Sequence, residues 1–554
     1  MPSLLDHSSE RIHYMMLHHT ADTKKRRRRR RKEPHCSSSS CSSSSSSWRS
    51  AAAAAAAQSQ SQSQSQSQCC CSPGPGPGPL LATSSLSYCC PGASSASRPA
   101  PAVHLNTLLV ALALLLLLAS SSCNDLDRIG VAAAAVPPRK MARIQRHLGR
   151  INRPAARSIQ SADGDIIDCV APHKQHALDH PLLKTHTIQA EPPQVPRGGR
   201  QASYLTAAAA TATKTNGSSS SSRGRKAWQT WHHGGHCPRG TVAFRRTSTE
   251  DVLRARSISL FGRKKKKKHV DGARAANAPD VITGNGHEHA IAYTAAAGEV
   301  YGAKATINVW EPAIQESNGF SLSQLWILSG SFNGSDLNSI EAGWQVSPAL
   351  YGDSRPRLFT YWTSDAYEAT GCYNALCPGF VQTSSRIAIG ASISPVSSPG
   401  GPQYDMTLLI WKDPKLGNWW LSYGGQLVGY WPAELFTHLS DHATMVEWGG
   451  EVVNTRPDGV HTATQMGSGR FAAEGFGRAS YFRNLETVDA DNSLAEAPFD
   501  AIQTLAEDAA CYDIRKAYDD DDDDHHYPGG GAGSGSGWGT HFYYGGPGHN
   551  PACP

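Results

Sequence analysis

Ser339-Ile340-Glu341-Ala342-Gly343-Trp344-Gln345-Val346 and Trp448-Gly449-Gly450-Glu451-Val452-Val453 are aromatic, glycine-containing stretches that each carry one glutamate. Both read as β-strands. Side chains two apart on a strand share a face, so Glu341, Gly343 and Gln345 point together and Ile340, Ala342, Trp344 and Val346 point the other way. The same rule groups Glu447, Gly449, Glu451 and Val453, and parity leaves both glutamates of that strand open. The double glycine would also accommodate a bulge that breaks the parity. A carboxylate aimed from a strand at a concave aromatic face is placed to activate water.

Around these two stretches, residues 280–554 continue as short β-rich segments separated by Gly, Pro, Asn and Asp. Strands are expected at His289–Thr294, Ala303–Val309, Ser323–Ser329, Ile340–Val346, Arg357–Thr363, Arg386–Ile393, Tyr404–Lys412, Asn418–Tyr423, Gln426–Trp431, Met445–Val453, Thr462–Gly467 and Ala479–Asn484. About 275 residues suffice for one all-β sandwich with a substantial core, and no strand–helix alternation calls for a parallel sheet.

The rest of the 554-residue chain differs in texture. Residues 1–102 hold an arginine run, serine tracts, polyalanine and Ser-Gln and Pro-Gly repeats, a low-complexity region expected to be disordered or to precede the natural start. Within 103–123, the apolar run from Leu108 to Ala119 rises only about 18 Å as a helix, too short for a bilayer of about 30 Å. With small residues following, it reads as a signal-peptide core, and no stable membrane insertion is expected after its removal. Residues 124–200 read as a small separate domain, opening with an amphipathic helix over 141–152 that lines up Ile144, Leu148 and Ile151. Residues 201–279 read as an exposed basic linker with a processing site, and Arg263 to Lys268 is its basic run.

A secreted chain places its cysteines in an oxidising compartment. Cys372 and Cys377 would close a short loop, Cys511 and Cys553 would tie the last strand to the end, and Cys169 and Cys237 would pair upstream. Asn216 and Asn333 are acceptors for N-glycosylation. The formal charge of +6 lies in runs without interleaved aromatics, so no nucleic-acid partner is expected. Neither a metal nor a cofactor is expected: His287-Glu288-His289 lacks a third ligand at helical spacing, and Asp519 to His526 reads as a solvated acidic loop. No nucleophile elbow appears in the folded part.

The chain resembles the plant neprosin family of secreted glutamic peptidases. The resemblance runs through SQLWILSG (323–330), NSIEAGWQVSPALYGDSRPRLFTYWTSD (338–365), GCYNALCPGFVQ (371–382), WPAELF (431–436), EWGGEVVN (447–454), TQMGSG (464–469) and HFYYGGPGHNPACP (541–554). Upstream, SIQSADGDIIDCV, HPLLKTHTIQ and CPRGTVAFRRT (237–247) resemble its activation peptide and connecting region. The resemblance implies a pro-enzyme whose mature part is an antiparallel β-sandwich of two curved sheets with a cleft across one concave face. It implies a catalytic dyad at Glu341 and Glu451, with Glu447 the lesser candidate, acid activity, cleavage after proline in protein or peptide substrates, and disulfides Cys372–Cys377 and Cys511–Cys553.

Two carboxylates near one water share a proton, so the charged one takes a proton from water while the neutral one donates to the substrate carbonyl. Gln345 is expected as an oxyanion donor, and Trp344 and Trp448 as substrate contacts. The expected location is outside the cell or in the cell wall, with the vacuole also compatible. A second reading is a non-catalytic extracellular β-sandwich binding glycan or protein, with Trp326, Trp344, Trp362, Trp411, Trp419, Trp420 and Trp431 as sugar-stacking faces.

Overall fold

The computed structural model describes residues 136–199, 225–264, 286–294, 298–331, 336–453, 460–517 and 537–554. The low-complexity region, the signal-like segment, Asn216, Asn333, Lys265 to Lys268 and the Asp519–His526 loop lie outside the described residues.

A six-stranded front sheet, apolar on its inner face and mixed apolar and polar on its outer face, is built from β4 (His287–Thr294), β5 (Ser321–Ser329), β6 (Asn338–Val346), β7 (Arg357–Thr363), β8 (Met445–Val453) and β9 (Ile502–Ala506). Its order is β7-β6-β5-β8-β4-β9, antiparallel throughout. Ile340, Ala342 and Trp344 of β6, Leu325 and Ile327 of β5 and Val446 and Trp448 of β8 turn to one face. There they meet Ala303, Ala305, Ile307, Leu408, Ile410, Trp419 and Leu421 of a rear sheet. The antiparallel centre of that sheet is formed by Gly302–Asn308, Tyr404–Lys412, Trp419–Tyr423, Gln426–Trp431 and Ser480–Val488. Burying both inner faces makes one shared core, and the all-β sandwich expected from the strand pattern is the observed architecture.

Two expected strands are not strands. Arg386–Ile393 contains Gly390 at φ +88° and gives its backbone bonds to the Gln229 side chain and the edge of β7. Thr462–Gly467 bonds to loops instead, with Gln465 N donating to Ala313 O and Met466 N to Gly546 O.

Ahead of the sandwich, the chain forms helix α1 (Pro138–Ile151) and a three-stranded antiparallel sheet of β1 (Ala155–Gln160), β2 (Ile166–Val170) and β3 (Val242–Arg245). The apolar stripe of α1 behaves as its spacing implies: Ile144 and Leu148 are buried against Val252 and Phe261. A disulfide joins Cys169 of β2 to Cys237, and Cys372–Cys377 and Cys511–Cys553 are bonded as well.

The basic linker expected over 201–279 is corrected for 225–264. Arg225–Lys226 adds in parallel to the Tyr404 strand, Trp228–Gln229 pairs with Ile393–Ser394, β3 completes the small sheet, and α2 (Thr249–Arg254) is held by a Ser248–Asp251 capping box. Apolar Val242, Ala243 and Trp231, together with the disulfide, provide the burial that a linker lacks.

Candidate active site

The outer face of the front sheet carries the chemistry. On β6, Glu341 stands level with Tyr361 of β7 and Trp326 of β5, and Trp326 stands level with Glu447 of β8. Four residues further along, Glu451 of β8 stands level with Leu322 of β5 and His289 of β4. Midway lies Gln324 of β5, whose two cross-strand neighbours are Gly343 and Gly449. A Cβ on Gly449 would come within 2.3 Å of Ala290 O at a φ of +155°, so glycine is required there for the strands to close.

Glu341 is fully buried. Its Oε1 accepts from Ser339 Oγ at 2.9 Å and from Tyr367 OH at 2.9 Å, and its Oε2 lies 2.7 Å from Lys264 Nζ. Lys264 is the last residue of the described stretch 225–264. Its ammonium sits 5.0 Å and 4.8 Å from the ring centroids of Tyr361 and Tyr367, and its backbone N–H donates to Tyr361 OH at 3.2 Å. The preceding turn is pinned as well, because Gly262 O accepts from Tyr373 N at 2.8 Å. The stretch that ends at Lys264 therefore reaches this face of the sheet and sets its ammonium on Glu341.

Glu451 is held by different partners. His287 Nδ1 bonds to its Oε1, Gln324 Nε2 donates to its Oε2 at 3.5 Å, and His289 Nε2 lies 3.9 Å away while its Nδ1 engages Glu507 at 2.9 Å. Burial opposes ionisation of Glu451, but the charges of Lys264 and His287 outweigh it and hold the carboxyl well below the usual range. For Lys264 burial works against the charge, and Glu341 and then Glu451 more than restore it, raising the ammonium above an ordinary lysine. One cation thus lies in the field of both glutamates.

The Neprosin family model matches residues 317–547, and the Neprosin activation peptide model matches 158–293. The chain belongs to the neprosin family. It is accordingly a peptidase-family chain, with peptides as its substrate class, that carries an activation peptide. Similar solved structures include crystal structures of Scytalido-glutamic peptidase with transition state analogs. One, with a peptide-based analog, is 13% identical, with 40% of this chain and 87% of that chain covered and a TM-score of 0.23. A second is 12% identical, with the same coverages and a TM-score of 0.22. A beta-porphyranase from the human gut bacterium Bacteroides plebeius is 10% identical over 30% of this chain and 56% of that chain, with a TM-score of 0.17.

Within the neprosin domain, Glu341 and Glu451 share one face, with only Gln324 and two glycines in the row between them. Glu447 is separated from Glu341 by the Trp326 indole. Gln345 is buried level with Glu451, and its Oε1 has no hydrogen-bond partner.

The expectation of substrate contacts at Trp344 and Trp448 is corrected: both are in the inter-sheet core, and Trp344 Nε1 donates to Asn308 O. Strand parity sends them away from the glutamates. His287-Glu288-His289 splits across the sheet, since the histidines face Glu451 and Glu507 while Glu288 pairs with His461. His461 and Asp508 also approach Cys511 and Cys553, whose thiols are consumed by their own disulfide.

The seven tryptophans of the glycan reading are all buried. Trp411 and Trp420 lie beneath the activation segment with Ala177 and Ile188. Sequence reasoning missed Lys264, which nothing distinguishes from the lysines after it, and Gln324, which has the right parity within SQLWILSG but shows its neighbours only through strand register. Among the described residues, no helix is long and apolar enough to cross a membrane.

Proposed function

We propose that this chain is the precursor of a secreted, acid-active glutamic endopeptidase that cleaves peptide bonds after proline, using Glu451 as base and Glu341 as acid. The observation that carries the reading is the Lys264–Glu341 contact: the activation segment places a cation on one glutamate, within the field of the other. Such an arrangement suits a latent enzyme, because a capped carboxylate cannot donate a proton. When the stretch ending at Lys264 leaves, Glu341 loses its counter-charge, while Glu451 keeps its contacts with His287 of β4 and Gln324 of β5. That asymmetry supports giving the base role to Glu451 and the acid role to Glu341. Tyr361, Tyr367 and Tyr373, grouped around the ammonium, supply an aromatic wall against which a proline ring would pack. The three disulfides support an oxidising destination.

The test is proteolysis of a proline-containing peptide mixture at about pH 3–5, around the carboxylate range, by the acid-processed protein beside Glu341→Gln and Glu451→Gln. Both variants are expected to lose at least about a thousandfold in kcat/KM. Retained cleavage in both would exclude the dyad. No cleavage by processed, folded wild type would favour the non-catalytic binding module.

A further inference from the structure

We propose that Gln324 is the carbonyl-binding donor of this site, a third catalytic residue that holds Glu451 with one amide hydrogen and meets the scissile carbonyl oxygen with the other. The proposal rests on the peptidase reading above. Strand β5 lies between β6 and β8, which carry Glu341 and Glu451. Along β5, Trp326 is level with Glu341 and Leu322 with Glu451, so Gln324 is the midpoint of the diagonal joining them. Gly343 and Gly449 flank it, and no other side chain from these three strands occupies its row.

Gln324 is fully buried, its Nε2 faces Glu451 Oε2 at 3.5 Å, and its Oε1 has no hydrogen-bond partner. That unused Oε1 is an acceptor suited to an N–H of a peptide laid across this face, while Nε2 carries two hydrogens, of which one is directed at Glu451 and the second can meet a carbonyl oxygen. Donors aimed at the position where an oxyanion forms act on the transition state more than on the ground state.

The step balances as follows. Glu451 takes a proton from water as the water oxygen bonds to the carbonyl carbon, and the carbonyl π pair moves onto the oxygen facing Gln324. The carbon–nitrogen bond then breaks, with the pair leaving on nitrogen and Glu341 giving its proton to that nitrogen. The proton on Glu451 returns to Glu341 through solvent. Gln324 donates a hydrogen bond throughout and transfers no proton.

The experiment compares the acid-processed wild type with Gln324→Leu and Gln324→Glu on one proline-containing peptide across pH. Gln324→Leu is expected to lower kcat by about 10²–10³-fold with KM changed less than about threefold. Gln324→Glu is expected to recover activity as pH falls, because only its protonated carboxyl can donate. A kcat for Gln324→Leu within threefold of wild type, or a loss confined to KM, would overturn the assignment. Should Gln324→Leu fail to fold, Gln324→Glu decides, and a pH profile superimposable on wild type overturns it. If Glu341→Gln and Glu451→Gln are inactive while Gln324→Leu is not, the Gln324 assignment alone fails; if both glutamate variants cleave, it falls with the peptidase reading.

Discussion

Glu451 and Glu341 are both buried carboxylates, and their neighbours set them apart. His287 bonds to Glu451, and in its charged form it favours the carboxylate. In the processed enzyme, His287→Ala should raise the Glu451 pKa, so activity that needs the ionised base should disappear at a higher pH on the acid side. A kcat/KM profile whose acid limb moves up by about one unit is expected, and an unmoved limb would remove His287 from the mechanism.

Lys264 acts in the precursor. Because the Glu451 carboxyl sits below its ordinary value in the folded chain, its contribution is present above the usual glutamate range and is lost as pH falls through the folded value. Acid therefore loosens the Lys264 seat. Lys264→Met removes the cation and leaves the buried Glu341 carboxylate without its counter-charge, a change worth roughly 3–5 kcal/mol. Conversion to the mature form, followed by mass spectrometry, should then begin at a higher pH than in wild type.

Elements decide how firmly the activation segment is held. Helix α1 docks through Ile144 and Leu148 onto Val252 and Phe261, with Leu350 and Leu376 of the sandwich packed beside them. Ile144 is fully buried, so Ile144→Ala should cost about 2–4 kcal/mol, read as a lower denaturation midpoint of the precursor. This helix was legible from its spacing alone, as were β6, β7 and β8, because their periods are local. The segment Arg386–Ile393 misled because its β-branched and apolar residues are core residues in irregular chain, with a left-handed glycine and the Gln229 amide replacing a ladder. Arg225 to Lys264 misled in the opposite sense, since its many basic residues conceal a folded segment anchored by Cys169–Cys237.

At the scale of the whole molecule, the activation segment and the sandwich bury a titratable group where they meet. His176 lines a cavity of about 40 Å³ with Arg153, Arg245, Tyr351, Asn374 and Ile389. Its Nε2 has no hydrogen-bond partner. Burial first, then Arg153 and His147, hold it down at about 4 against the opposing pull of Asp179. Below its ordinary value of 6.5 the unfolded chain binds this proton and the folded chain does not, so stability falls with pH from there to about 4. The total is roughly 3 kcal/mol. His176→Leu should remove that loss, moving the acid-unfolding midpoint of the precursor to lower pH. An unchanged midpoint would show that His176 does not sense acid. His176 and Lys264 lie in the same activation segment, and acid weakens both contacts.

The sequence by itself determined the all-β class, the inward and outward faces of each long strand, the α1 stripe and the motifs that mark the family, because each depends on residues within a few positions of one another. Tertiary structure alone decided that Lys264 reaches Glu341, that His287 holds Glu451 and that Gln324 lies between the two glutamates. Those are matters of register between strands and of where a returning segment docks, and they follow from burial summed over distant parts of the chain, which no local pattern records.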